Sequence, residues 1–185
     1  MEPELVTRAQ QGDQRAFEAL TVRSHARLYR LAYGILRDPT LAEDVTQQAF
    51  LDIWRFLRRL RDPKGFEAWS YRILLDACRE EAARRPEPPP PGGAVVTASR
   101  GPDPFGTGVD REQMGRAFAR LTLEQRTPIV MRYLLDLEVE DMAAVLGSST
   151  GTAASRLQRA LAALRAAIEA DGGPGADAGA AGEGA

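Results

Sequence analysis

The side chains best suited to recognising a ligand lie near the end of the foldable chain. Thr152, Ser155, Arg156, Gln158 and Arg159 put hydroxyl, amide and guanidinium groups on one side of a helical repeat. Ala153, Leu157, Leu161, Leu164 and Ile168 recur on the other side at spacings of three or four. Such polar groups bond phosphate oxygens and base edges, and arginine can do so with two parallel hydrogen bonds. A second group is Phe66, Trp69 and Tyr71 beside Arg72. Aromatic rings stack on unpaired bases while arginine meets the backbone phosphate, which is the chemistry of single-stranded nucleic acid binding. Ordinary core packing of Phe66 and Trp69 explains the same pattern.

Other chemistries find no residues to carry them. The sequence has no nucleophile elbow, no phosphate loop and no metal-ligand spacing. One cysteine, Cys78, rules out an internal disulfide framework, and one histidine, His25, leaves a His/Cys metal cage without ligands. Cys78 is expected to be a buried small side chain, and His25 a surface or capping residue. The acidic pairs Glu43-Asp44 and Glu80-Glu81 are adjacent in sequence, so on a helix they do not converge. No catalytic residue, metal or cofactor is expected, and the chain is not read as an enzyme.

The elements that hold these groups are all helical. Around the first group the sequence predicts a short helix, about Val139 to Leu146, that buries Met142, Ala143 and Leu146. Gly147 follows where a left-handed residue ends a helix. Ser148, Ser149 and Thr150 can cap the next helix. Together these make a helix-turn-helix pattern. Ahead of it, Met114, Ala117, Phe118 and Leu121 form a short amphipathic helix. Thr122 caps another from Leu123 to about Leu135, with Pro128 expected to bend it or remove a hydrogen bond.

In the N-terminal half, residues 3–36 read as helix interrupted at Gly12-Asp13, with Phe17, Leu20, Leu28, Leu31, Ala32 and Ile35 inward. Asp38 or Thr40 caps a helix from Leu41 to about Leu60, on which Val45, Ala49, Ile53 and Leu57 form the apolar line. Phe50 and Trp54 sit beside that line as core or as rim of a partner surface. After the turn Asp62-Pro63-Lys64-Gly65, a helix from about Phe66 to Arg85 points Trp69, Ile73 and Ala77 inward. Residues 86–110, with four consecutive prolines from Pro88 to Pro91, read as a flexible interdomain linker, and 171–185 as a disordered acidic tail.

The expected fold is therefore all-α: two small helical domains, 1–85 and 111–170, joined by a Pro/Gly-rich linker. Of 185 residues, 44% are hydrophobic, enough for a core, and no run approaches the length of a membrane span. The N-terminus has no apolar signal region, so a cytoplasmic protein without membrane insertion is expected. The net charge is -2, but 1–85 carries +2 and 111–170 carries +1, so both foldable parts are weakly basic and the remainder acidic. That balance permits DNA contact of modest affinity.

Two runs, AEDVTQQAFLDIW and GTAASRLQRALAALR, stand in this order within the longer stretches LYRLAYGILRDPTLAEDVTQQAFLDIWRFL and ARLTLEQRTPIVMRYLLDLEVEDMAAVLGSSTGTAASRLQRALAALR. In both, the chain resembles the sigma-70 family of RNA polymerase sigma factors, in its compact extracytoplasmic-function (ECF) form. The likeness covers 5–85 (region 2) and 111–170 (region 4). It implies promoter recognition, melting and transcription initiation in partnership with core RNA polymerase, through the β′ clamp coiled coil and the β flap. It assigns Asp44, Gln48, Phe50 and Trp54 to polymerase docking. It assigns Phe66, Trp69, Tyr71, Arg72 and Asp76 to the promoter −10 element, and Ser149, Thr152, Ser155, Arg156 and Arg159 to the −35 element. Leu75 and Asp76 stand where arginine and asparagine are common in the family, and Ala153-Ala154 replace a common valine and a common polar residue. Many relatives are held by an anti-sigma protein, and the resemblance implies that such a partner is available to this chain. A stand-alone helix-turn-helix regulator, or a sigma-like interaction protein that does not melt DNA, fits the same residues.

Overall fold

The structure is a computed structural model; it describes residues 3–84 and 111–171, apart from the side chain of residue 111. The expected linker 86–110, and all but the first residue of the expected tail, lie outside these described residues. Among the described residues eight α-helices run in order: α1 (Pro3–Gln10), α2 (Gln14–Leu36), α3 (Pro39–Phe56), α4 (Phe66–Arg84), α5 (Arg111–Ala119), α6 (Leu123–Ile129), α7 (Val139–Leu146) and α8 (Thr150–Asp171). Two 3-10 turns (Leu57–Arg59, Pro63–Gly65) join α3 to α4, and a π turn (Val130–Leu134) follows α6. There is no strand among the described residues.

Side-chain caps set several of the helix starts. The Asp13 and Asp38 carboxylates accept from the backbone N–H of Ala16 and Leu41 at 3.1 and 2.9 Å, which satisfies donors that the first helical turn leaves free. Asp13 is also bonded by the Arg8 guanidinium, which holds its carboxyl below the usual carboxylate range. Thr122 and Gln125 close a capping box at α6. Asp38, not Thr40, is the α3 cap.

Pro128 does more than bend its helix. It has no N–H for the carbonyl four residues back, and its ring crowds that carbonyl. The chain then widens: Leu135 N–H bonds the Val130 carbonyl, five residues back, at 3.2 Å. The expected single helix from Leu123 to Leu135 is thus α6 plus a π turn.

The N-terminal helices pack α2 against α1, α3 and α4, while α8 is the hub for α5, α6 and α7. These two sets do not stand apart. α2 meets α6 and the π turn, α4 meets α7, and one apolar cluster runs through both. This contact corrects the inward face expected for α4. Its buried residues are Phe66, Ser70, Tyr71, Leu74, Leu75 and Cys78, whereas Trp69, Ile73 and Ala77 are only partly covered. A helix packed on both sides has apolar residues around most of its circumference, so one four-residue line cannot mark its centre. On α7 the buried set is Met142, Ala143 and Val145, with Leu146 partly covered.

Leu31, fully buried in α2, and Val22, largely exposed on the same helix, give a direct test of this packing. Leu31→Ala should cost about 2–5 kcal/mol, and Val22→Ala less than about 0.5 kcal/mol, read from urea unfolding midpoints at constant m-value.

Candidate nucleic-acid and polymerase interfaces

The helix-turn-helix forms as its residues dictate. Gly147 ends α7 in the left-handed conformation, φ 61°, and its N–H bonds the Ala143 carbonyl. Ser149 then caps α8: its Oγ accepts from the Thr152 N–H at 3.2 Å and lies 2.9 Å from the Thr152 hydroxyl. Ala153, Ala160 and Leu164 are buried beneath α8, with Leu157, Leu161 and Ile168 partly covered beside them. Ser149, Thr152, Ser155, Arg156 and Arg159 are all exposed. The Arg159 Nε–H bonds the Ser155 carbonyl within the helix. A row of hydroxyls and guanidinium groups thus faces outward from a rigidly packed helix. Arg120 and Arg116 tie the buried Asp171 carboxylate at the far end of α8 back to α5.

On α3 the four residues expected to dock polymerase divide. Asp44 and Gln48 lie on the exposed face, and Gln48 is braced by the Asp52 carboxylate at 3.1 Å. Trp54 is 43% exposed and packs at a tilt against Phe17, with ring centroids 4.7 Å apart. Phe50 turns toward α2 and is partly buried, its ring parallel to His25 at 6.1 Å. Tyr29 and Tyr33 continue that parallel series along α2. His25 is partly covered and lies 3.7 Å from a Glu43 oxygen, so it fills a surface role. Between Gln48 and Arg55 the structure adds a residue that the sequence reading passed over. Leu51 is 62% exposed, in the middle of the Asp44, Gln48 and Arg55 face. An apolar residue at a position where the helical period demands a polar one was the available signal.

On α4 the expected −10 residues also divide. Phe66 and Tyr71 are core: both are almost fully buried, and the Tyr71 hydroxyl bonds the Glu67 carboxylate at 3.3 Å. Burial, reinforced by the Glu67 charge, pushes the Tyr71 phenol up to about 12. Neither ring is open to a base here, which corrects the reading of three stacking aromatics. Trp69 remains as the partly exposed ring, its inner side tilted against Phe66 at 6.2 Å. Arg72 donates to the carbonyls of Ala144 (2.5 Å) and Val145 (3.3 Å) in the last turn of α7. Asp76 is exposed and held by Arg79 at 2.9 Å; Arg79 also reaches Glu124 of α6 at 3.2 Å. The acid at this position is therefore locally compensated. Cys78 is fully buried, and burial pushes its thiol up to about 12, so it stays protonated and unreactive at neutral pH.

Among the described residues no group of three or more His, Cys, Asp or Glu could hold a metal ion, and no helix is long and apolar enough to cross a membrane. What the fold presents is a capped helix with a polar outer face, a second helix with an exposed apolar and acidic face, and a tryptophan near an arginine. Known families match both halves of the chain. Residues 20–86 match sigma-70 region 2, and residues 111–164 match the region 4 family of sigma-70. The chain is 32% identical to the ECF RNA polymerase sigma factor SigM of Mycobacterium tuberculosis, over 83% of this chain and 77% of that protein. It is 29% identical to the RNA polymerase sigma-H factor of Pseudomonas aeruginosa, over 90% and 93% of the two chains. Its fold is similar to that of CnrH, solved in complex with the cytosolic domain of CnrY, with a TM-score of 0.65 and 27% identity over 91% of this chain and 97% of that one. With both regions present in order on an all-helical fold, the chain belongs to the sigma-70 family as an ECF-type RNA polymerase sigma factor.

Proposed function

We propose that this sigma factor grips core polymerase and promoter DNA through three separate faces. The exposed face of α3, Asp44, Gln48, Leu51 and Trp54, docks on the β′ clamp coiled coil. Trp69 and Arg72 on α4, flanked by Asp76, meet the opened −10 element. The outer face of α8, Ser149, Thr152, Ser155, Arg156 and Arg159, enters the major groove of the −35 element, and region 4 meets the β flap. The observation that carries this reading is the α8 face: all five polar residues are exposed while the opposite side of the helix is packed. An apolar side chain held in water at the centre of a polar face, as Leu51 is, supports a protein partner for α3.

Each group acts by binding. Ser149 positions the start of α8 through its cap, and the helix N-terminus favours nearby phosphate. Arg156 supplies a guanidinium that suits guanine or phosphate. Trp69, tilted against Phe66 on its inner side and partly exposed, is the ring offered to an unstacked base. The protein works in the cytoplasm, where its polymerase is. CnrH, similar along nearly its whole length, was solved with a protein partner, and this supports a corresponding anti-sigma partner for this chain.

Run-off transcription with purified core polymerase and a genomic promoter library tests the whole reading. Promoter-specific transcripts are expected; core binding without any such transcript would refute it. Arg156→Ala should weaken −35-dependent occupancy by about 1–3 kcal/mol, roughly 5- to 150-fold, and unchanged occupancy in footprinting would remove α8 from the groove. Leu51→Asp should weaken core binding roughly 30-fold, the scale of a central interface residue, measured by titration of labelled protein with core.

A further inference from the structure

α8 ends against its own electrostatics. Asp171 closes its last turn, which holds no basic residue. The C-terminal end of a helix is its negative pole, so a carboxylate there is unfavourable and a cation is favoured. Asp171 is also buried, its side chain only 6% exposed. A buried charge costs stability unless partners replace its water. The local sequence of α8 gives no reason for this residue.

The reason lies at α5 and the residue that follows it. Arg120 Nη2 reaches one Asp171 oxygen, Oδ1, and Arg116 Nε stands 3.6 Å from the other, Oδ2. In the same last turn the Ile168 carbonyl accepts from the Gln113 amide at 3.2 Å. Gln113, Arg116 and Arg120 are spaced three and four apart, so they share one face and close on the end of α8 together. This grip is not built for stability alone. Oδ2 accepts no hydrogen bond among the described residues, and a buried oxygen left unsatisfied weighs against the pair. What a buried ion pair supplies is a single alignment of the elements it joins.

α8 needs such an alignment. Its buried residues are Ala153, Ala160 and Leu164, so its seat consists of two methyl groups and one leucine side chain. Apolar contact is non-directional, and a seat this smooth resists lifting more than it resists tilting. The helix is held at its start by the Gly147 turn and at its end by Asp171. Arg156 lies roughly 13 Å along α8 from Gly147, so a tilt of about 5° about that turn moves it by about 1 Å. A recognition site has to hold its groups to about 0.5 Å.

We propose that Asp171 is a positioning residue for reading the −35 element. Held by Arg116 and Arg120, it sets the tilt of α8 and with it the register of Arg156 and its neighbours on the base edges. This rests on the reading of α8 as the −35 helix, and the test keeps the two apart.

The test uses holoenzyme and two promoters that differ only in a scrambled −35 element. The readout is the ratio of their occupancies in footprinting. Asp171→Asn keeps the size of the side chain and removes its charge. It should lower the ratio, by at most the roughly 5- to 150-fold that loss of Arg156 produces. Occupancy of the scrambled promoter, affinity for core polymerase and helix content by circular dichroism should stay unchanged. A residue that merely stabilised the fold would lower all of these together. In an Arg156→Ala background the effect of Asp171→Asn should shrink, because the group it positions is gone. Asp171→Glu, which keeps the charge, should recover part of the ratio. An unchanged ratio in folded Asp171→Asn overturns the proposal, as does a full-sized effect in the Arg156→Ala background. Should Asp171→Asn fail to fold, Arg116→Gln, which alters an exposed side chain, is read in the same way. Full discrimination by Arg156→Ala alone would refute the −35 reading itself, and the proposal with it.

Discussion

Arg126 carries its charge into the seam between the two helical halves, and the surrounding structure is arranged to accept it. The residue is 7% exposed. A buried cation costs several kcal/mol unless hydrogen bonds replace its water. Here Nη1 donates to the Ile35 carbonyl, Nη2 to Ala119 and Nε to Phe118. Those carbonyls lie in the last turns of α2 and α5, where helical oxygens have no partner within their own helix and the dipole is negative. One side chain thus completes the ends of two helices and draws α6 down between them. α2 and α5 come from opposite halves, so satisfying this one charge already brings the halves into contact.

The same physical rule recurs along the seam. Arg30 finds the carbonyl that ends the π turn, and Arg72 finds those of the last turn of α7. Helix C-termini supply the acceptors and arginines from the facing half supply the donors. Apolar contact adds shape: the notch at Gly34 admits a turn that a β-carbon would exclude. The seam is therefore specific without being wholly hydrophobic. Arg30 and Arg72 are exposed, so competing phosphate or carboxylate groups can reach them, whereas Arg126 is buried within the seam.

This arrangement sorts the functional faces. The outer side of α8 and the outer side of α3 point to solvent. α4 lies in the seam: two of its aromatic rings are spent on the core and its arginine on α7. On the proposed reading, the upstream and polymerase faces lie open, while the helix proposed for the −10 element is partly engaged within the protein.

The family, the helical class and the order of the helices are legible in the sequence because they rest on local chemistry. Asp13, Asp38, Thr122 and Ser149 cap helices through backbone atoms three residues away. Gly147 ends one through its own backbone, and the apolar side of α8 faces a single neighbouring layer. The same locality made Arg156 and its neighbours readable as an outward face. What the sequence could not determine is whatever depends on a partner distant along the chain. Trp69, Ile73 and Ala77 formed a plausible inward line until α7, some seventy residues away, covered the far side of α4. Phe50 read as core or as rim until His25 lay parallel to it. Gly34 and Arg126 carried no local signal at all, because the reason for each is a surface contributed by the opposite half. Hydrogen bonding within a turn fixed the helices, and burial between distant helices fixed which of their faces remained to do work.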